Sequence, residues 1–142
     1  MTKINKNKSA FQFTKPILKE AIFLDLGGKL SESNNLLQTD VGEIEEFNGV
    51  KSATVSLTLA NFEELNDSDK EDFPYLLRVT MESKFRWETN KIDDSVAENL
   101  LRVNAPSLLL SYIRPIVSGL TVASAFQEEV VPFIDFTNNQ QN

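Results

Sequence analysis

The stretch FPYLLRVTMESKFRW, residues 73–87, decides the fold because it carries the most regular pattern in the chain. Apolar side chains occupy every odd position except 83, and the even positions from 78 to 86 are polar. A period of two is typical of an antiparallel strand with one buried face. At about 3.3 Å per residue this strand should run for roughly 50 Å, which is far longer than the usual length of about five or six residues.

Two further strands are predicted directly upstream. Residues 53–60 alternate in the same way, and Asn48-Gly49 before them is a residue pair suited to a two-residue hairpin turn. Residues 37–47 are therefore the partner strand. Strict alternation fails within that strand, so a β-bulge is expected near Gly42.

The first strand is predicted between Phe11 and Leu26. Its apolar residues change parity around Pro16. Proline cannot donate to a central ladder and belongs at a sheet edge or a bulge. A kinked strand at the edge of a four-stranded sheet is therefore expected.

Residues 105–126 are predicted to form one long helix, after a short helix at 94–102. Its polar side chains recur every three or four positions and so form one narrow stripe, which is Ser107, Ser111, Arg114, Ser118 and Thr121. The remaining faces are apolar, and Pro115 should kink the helix. A central arginine beside a proline argues against membrane insertion.

So apolar a helix must be covered on more than one side, and one sheet covers only one side. We therefore expect a homo-oligomer, a dimer or a dimer of dimers (tetramer). An unpaired buried cation is costly, so the arginine of the stripe should find an ion pair or a carbonyl cluster at the subunit interface. The predicted interface residues are Tyr112, Arg114, Ile116 and Leu120.

The charge is unevenly distributed along the 142 residues. The first 19 residues carry five lysines and no carboxylate, and the remainder carries nine cations against 21 carboxylates, a net charge of −12. Such a body repels phosphate backbones, so nucleic-acid binding is not expected. The length favours a flexible basic arm at 1–9, one domain at 10–136 and a disordered polar tail at 137–142.

Cysteine and histidine are both absent from the sequence. This removes thiol nucleophiles, Ser-His-Asp arrangements and the usual zinc sites. The adjacent carboxylates at 45–46 and 128–129 point to opposite faces of a strand, so neither pair converges on one substrate. No enzyme, catalytic residue, metal or cofactor is expected. The N-terminus lacks the apolar run of a secretory signal, so a cytoplasmic location is expected.

The order of these elements resembles the protein-export chaperone family SecB. The most specific match is residues 103–136, VNAPSLLLSYIRPIVSGLTVASAFQEEVVPFIDF. SecB-like proteins carry there a stretch similar to N-A-x-x-x-L-x-P-Y-[AI]-R-x-x-[IV]-S. The matching positions are Asn104, Ala105, Leu109, Tyr112, Ile113, Arg114, Val117 and Ser118.

The resemblance implies an α+β fold, with a four-stranded antiparallel sheet and a long helix packed on one face. It implies an ATP-independent cytoplasmic holdase for unfolded or non-native polypeptides, which serves protein export in the family. Such a chaperone needs exposed apolar side chains beside open backbone groups. The candidate groove residues are Val41, Ile44, Phe47, Phe126, Val131, Phe133 and Ile134.

The sequence also departs from the family pattern. The family's proline falls at Ser111, and the C-terminal helix and basic SecA-docking tail of better-known members have no counterpart. SecA binding is therefore left open, although Glu20 and Asp25 fall near acidic positions that help contact SecA in the family. The alternative function is a non-catalytic adaptor on this scaffold, dedicated to one protein partner such as an antitoxin-like client.

Overall fold

The computed structural model describes residues 1–28, 35–63 and 73–137. A short 3-10 helix precedes six strands, and a helical region completes the fold. The elements are Ile4–Lys6, β1 (Phe11–Phe13), β2 (Ile17–Asp25), β3 (Leu36–Val41), β4 (Glu45–Phe47), β5 (Val50–Ala60), β6 (Tyr75–Glu88), α1 (Asp94–Asn99), a π-helical turn (Leu100–Asn104) and α2 (Ala105–Val122).

All strand pairs are antiparallel. β1 and β2 both pair with β6, β6 pairs with β5, and β5 pairs with β3 and β4. The sheet is therefore four strands wide, and each of its two edge strands is split in two. This confirms the α+β architecture predicted from the sequence.

The split between β3 and β4 is the bulge expected near Gly42. Val41 pairs with Val55 but Glu45 pairs with Ser52, so the edge strand has one residue more than its partner β5 over this stretch. The Gly42 amide donates to the Thr54 carbonyl at 2.8 Å, and a Cβ at Gly42 would lie 3.2 Å from that oxygen. The hairpin that follows has the predicted two-residue turn at Asn48 and Gly49, whose φ values of 51° and 75° fit type I′ geometry.

The other edge strand, formed by β1 and β2, is split at Pro16, as expected, and contains a second irregularity. Leu18 pairs with Met81 but Glu20 pairs with Thr80, so Lys19 forms a further bulge. Residues before and after this bulge therefore follow opposite parities.

The core lies between α2 and strands β5 and β6. We call the helix-bearing side of the sheet the inner face and the other side the outer face. Odd-numbered residues of β5 and β6 point to the inner face, and Leu57, Leu59, Val79 and Met81 are buried under α2 as predicted. Opposite them, Leu109, Ile113 and Val117 are fully buried.

The helix α2 ends at Val122, four residues before the predicted end, and Pro115 lies inside it on an exposed position. The helical run 94–122 is long and apolar enough to cross a membrane by length and composition alone. Its packing on the sheet is that of a core helix in a globular domain, which meets the same criteria. Of the tail predicted at 137–142, only Thr137 belongs to the described residues.

Candidate functional site

A cleft of about 570 Å³ opens on the inner face between the β3–β4 strand and α1. We call it the inner cleft. Its apolar wall consists of Val41 and Ile44, which are 42% and 51% exposed, and of the buried Leu101. This volume lies within the range of small-ligand pockets and accommodates a few side chains.

The rim of the inner cleft is charged, but most of its charges are paired with one another. Lys51 Nζ lies 2.8 Å from Asp94, and Arg102 lies 2.8 Å from Glu98. The hydrogen bond to Asp94 raises the pKa of the Lys51 ammonium above its usual value. The apolar wall is therefore the part of the cleft with unused binding capacity.

The polar stripe of α2 holds the segment that follows the helix. We call residues 124–137 the tail segment. Arg114 Nε donates to the Val131 carbonyl at 2.9 Å, Ser118 Oγ donates to Glu128 Oε1 at 2.7 Å, and the Glu129 amide donates to Thr121 Oγ1 at 2.8 Å. Three successive turns of the helix therefore bind the tail segment through the second half of the stripe.

A second set of contacts fixes the start of the tail segment to the sheet. The Glu129 carboxylate accepts hydrogen bonds from Tyr75 Oη at 2.8 Å and from Asn35 Nδ2. The Phe126 ring packs on Tyr75, with centroids 5.1 Å apart. The half-buried Phe126 is thus part of this anchoring cluster.

Farther along the tail segment, buried and exposed residues alternate irregularly. Val131 and Phe136 belong to the core, at 5% and 1% exposure. The assignment of Val131 to a client groove is therefore wrong, since its side chain is not accessible. Phe133 is 90% exposed and lies under the Arg114 guanidinium at 4.9 Å, and Ile134 is also exposed.

The carbonyl partner that the sequence places at a subunit interface lies in the same chain, because Arg114 binds Val131. The other three predicted interface residues lie on α2. Tyr112 is exposed, and Ile116 and Leu120 are half-buried against the core. The homo-oligomer remains a prediction.

Phe47 does not join Val41 and Ile44. It pairs with Val50, which pairs in turn with Glu88, so all three side chains belong to the outer face. The placement of Phe47 in the same groove is therefore wrong. Its side chain is 78% exposed.

The two acidic residues near the family's SecA-contact positions lie on opposite faces. Glu20 is on the outer face, where its carboxylate accepts hydrogen bonds from Arg78 Nε and Thr80 Oγ1, both at 2.9 Å. The hydrogen bond from Arg78 lowers the pKa of Glu20 most, and the bond from Thr80 lowers it further. Asp25 pairs with Tyr75, an odd-numbered residue of β6, and therefore lies on the inner face. Its carboxylate accepts a hydrogen bond from the Gly27 amide at 2.7 Å. The structure therefore does not bring Glu20 and Asp25 into one contact surface.

Sequence comparisons find no matching family model and no matching curated protein. Among solved structures, the chain is similar to a SecB-like chaperone of Mycobacterium tuberculosis in complex with a ChAD peptide from the HigA1 antitoxin. The TM-score is 0.54 at 11% identity, over 88% of each chain. A protein of unknown function from Streptococcus agalactiae gives a TM-score of 0.50 at 12% identity, over 87% of this chain and 97% of that one. At these identities the likeness shows the fold, which is SecB-like.

Proposed function

We propose that this protein is an ATP-independent holdase that binds non-native polypeptides, with the inner cleft as a principal contact site. The observation that carries the proposal is the exposure of Val41 and Ile44 in a shaped cleft on the inner face. Exposed apolar surface of this kind is typical of sites that bind other chains. Phe133 and Ile134 add a second exposed apolar surface beside α2.

The edge of the sheet offers backbone groups next to this cleft. Within the described part of the chain β3 pairs with β5 alone, so its other edge is free. An extended client segment is able to pair with such an edge while its side chains enter the cleft. The cleft thus combines apolar area with open hydrogen-bonding groups.

The expected affinity follows from the apolar area available. Complete burial of one large aliphatic or aromatic side chain contributes about 1.5–3 kcal/mol. A few such contacts reach about −8 kcal/mol, which corresponds to a dissociation constant near 1 μM. Binding at that level is reversible, as a holdase requires.

The likeness to a SecB-like chaperone solved with a bound peptide supports polypeptides as the ligand class. On the basis of the family resemblance, we also propose that the holdase is cytoplasmic and serves protein export.

The alternative is an adaptor dedicated to one protein client. Two observations favour it: the peptide in the similar structure comes from one antitoxin, and the inner cleft is a single cavity of about 570 Å³ rather than a long groove. A small cleft suits a short, specific segment.

The experiment is suppression of aggregation, without ATP, of three unrelated unfolded proteins, with an unrelated acidic protein of similar size as control. A general holdase should protect all three at near-stoichiometric ratios. Protection of one client or none, together with tight binding to a single native partner, supports the adaptor. Absence of any polypeptide binding contradicts both functions.

A further inference from the structure

A second cleft, of about 580 Å³, lies on the outer face. We call it the outer cleft. The basic N-terminal arm forms one side of it and the ends of β5 and β6 form the other. Its lining residues are Lys8, Ser9, Ala10, Gln12, Val50, Arg86, Trp87, Glu88 and Lys91. The cross-strand pairs of Gln12 with Arg86 and of Val50 with Glu88 place these four residues on the outer face.

The outer cleft is positively charged although the protein is acidic. It is lined by three cations and one carboxylate, a net charge of +2, whereas the chain as a whole carries −7. The carboxylate, Glu88, is already paired with Lys91 at 2.6 Å. Lys8 and Arg86 make no ion pair within the described residues, so both cations are available to a ligand.

Apolar side chains adjoin these cations. Val50 lines the outer cleft, and Phe47 lies directly opposite Val50 on the same face with most of its surface exposed. Trp87 also borders the outer cleft, but its side chain is 2% exposed and belongs to the core on the inner face. The surface therefore combines free cations with apolar area.

We propose that the outer cleft binds an acidic polypeptide segment. Carboxylates of the segment pair with Arg86 and Lys8, and an apolar side chain packs on Val50 and Phe47. A peptide fits better than a nucleic acid, because phosphate backbones require an extended series of cations. This site lies on the opposite face from the inner cleft, so it does not depend on the holdase function.

Occupancy is measured by isothermal titration calorimetry, because the single tryptophan, Trp87, is buried and its side chain lies on the inner face. The probe is a nine-residue peptide of alternating aspartate and leucine, and the control peptide has asparagine at each aspartate position. The acidic peptide should bind at least tenfold more tightly, and its affinity should fall as salt is raised.

Variants separate a local site from general charge attraction. The pair Lys8→Gln with Arg86→Gln should weaken the acidic peptide at least tenfold. The pair Lys3→Gln with Lys6→Gln removes the same charge outside the lining and should change the affinity less than twofold. Both pairs change exposed side chains, and Arg86→Gln alone serves if the first pair melts early.

Three results overturn the proposal: no detectable binding of the acidic peptide at millimolar concentration, equal losses in the two variant pairs, or tighter binding of a single-stranded oligonucleotide than of the peptide. The variant Val41→Ser with Ile44→Ser should leave acidic-peptide binding unchanged. Failure of the outer cleft is thereby distinguished from failure of the holdase function.

Discussion

Replacing Arg114 by alanine tests whether the stripe of α2 holds the tail segment. The change removes the 2.9 Å hydrogen bond to the Val131 carbonyl and the contact with the Phe133 ring. A hydrogen bond from a charged group contributes about 1.5–3 kcal/mol, and a cation–π contact at an exposed site contributes about 0.5–1 kcal/mol. Arg114 is half-buried, so we expect the free energy of unfolding to fall by about 2–3 kcal/mol.

The assay is urea unfolding of Arg114→Ala beside Arg102→Ala, which makes the same chemical change at an exposed site. Arg102 forms a surface pair with Glu98 at i,i+4 spacing, and such pairs contribute about 0.3–0.5 kcal/mol. Hydrogen exchange then localises the loss. Amides of the tail segment should exchange faster in Arg114→Ala, while those of β5 and β6 change only with global stability.

The reasoning is refuted if the two variants lose equal stability. It is also refuted if Arg114→Ala leaves exchange in the tail segment unchanged, since the helix stripe then has no part in holding that segment.

Three further predictions concern the tail surface, the outer face and assembly. Phe133→Ser with Ile134→Ser should lower affinity for a reduced, unfolded protein at least tenfold while changing stability by about 1 kcal/mol or less, because Phe133 is 90% exposed; unfolding of this variant in melting experiments contradicts the surface assignment. The pKa of Glu20 is lower in the folded protein than the ordinary value of 4.5. The stability that Glu20 contributes is therefore fully present above pH 4.5 and is lost as the pH falls through the folded-state pKa. Urea unfolding from pH 3 to 7 should therefore show a shallower acid slope in Glu20→Gln, with a difference of about 1 kcal/mol or less at neutral pH. Light scattering at micromolar concentration should give a dimer or tetramer, and a mass near 16.0 kDa contradicts the expected assembly.

The strands were largely predictable because their signals are local. The alternation of residues 73–87 and the Asn48-Gly49 turn each require only a few neighbouring residues. The bulge at Lys19 was not predictable, because it exists only relative to the register of β6. No pattern within residues 17–25 marks it.

The misplacement of Phe47 has a specific cause. One extra residue between Val41 and Glu45 reverses the parity of the strand, so side chains beyond the bulge change face. The bulge near Gly42 was itself expected from the sequence. Carrying the parity change through it would have placed Phe47 on the outer face.

The role of the α2 stripe was only half predictable. The spacing of Arg114, Ser118 and Thr121 showed a polar line on an apolar helix, and the need for a partner to Arg114 followed from the cost of an unpaired cation. The partner was not predictable, because the contact between α2 and the tail segment is tertiary. Val131 is buried and Phe133, two residues later, is exposed. Both are apolar, so the local sequence does not distinguish them.

The most direct test of the central claim measures the affinity of an unfolded client for two matched variants. Val41→Ser with Ile44→Ser removes the apolar wall of the inner cleft. Leu36→Ser with Val122→Ser removes two side chains of similar or greater exposure outside that cleft, at 51% and 63%. If the inner cleft binds the client, calorimetry should show at least a tenfold loss and a smaller negative heat-capacity change for the first variant only. Equal affinities of both variants and the unchanged protein for the client would contradict the account.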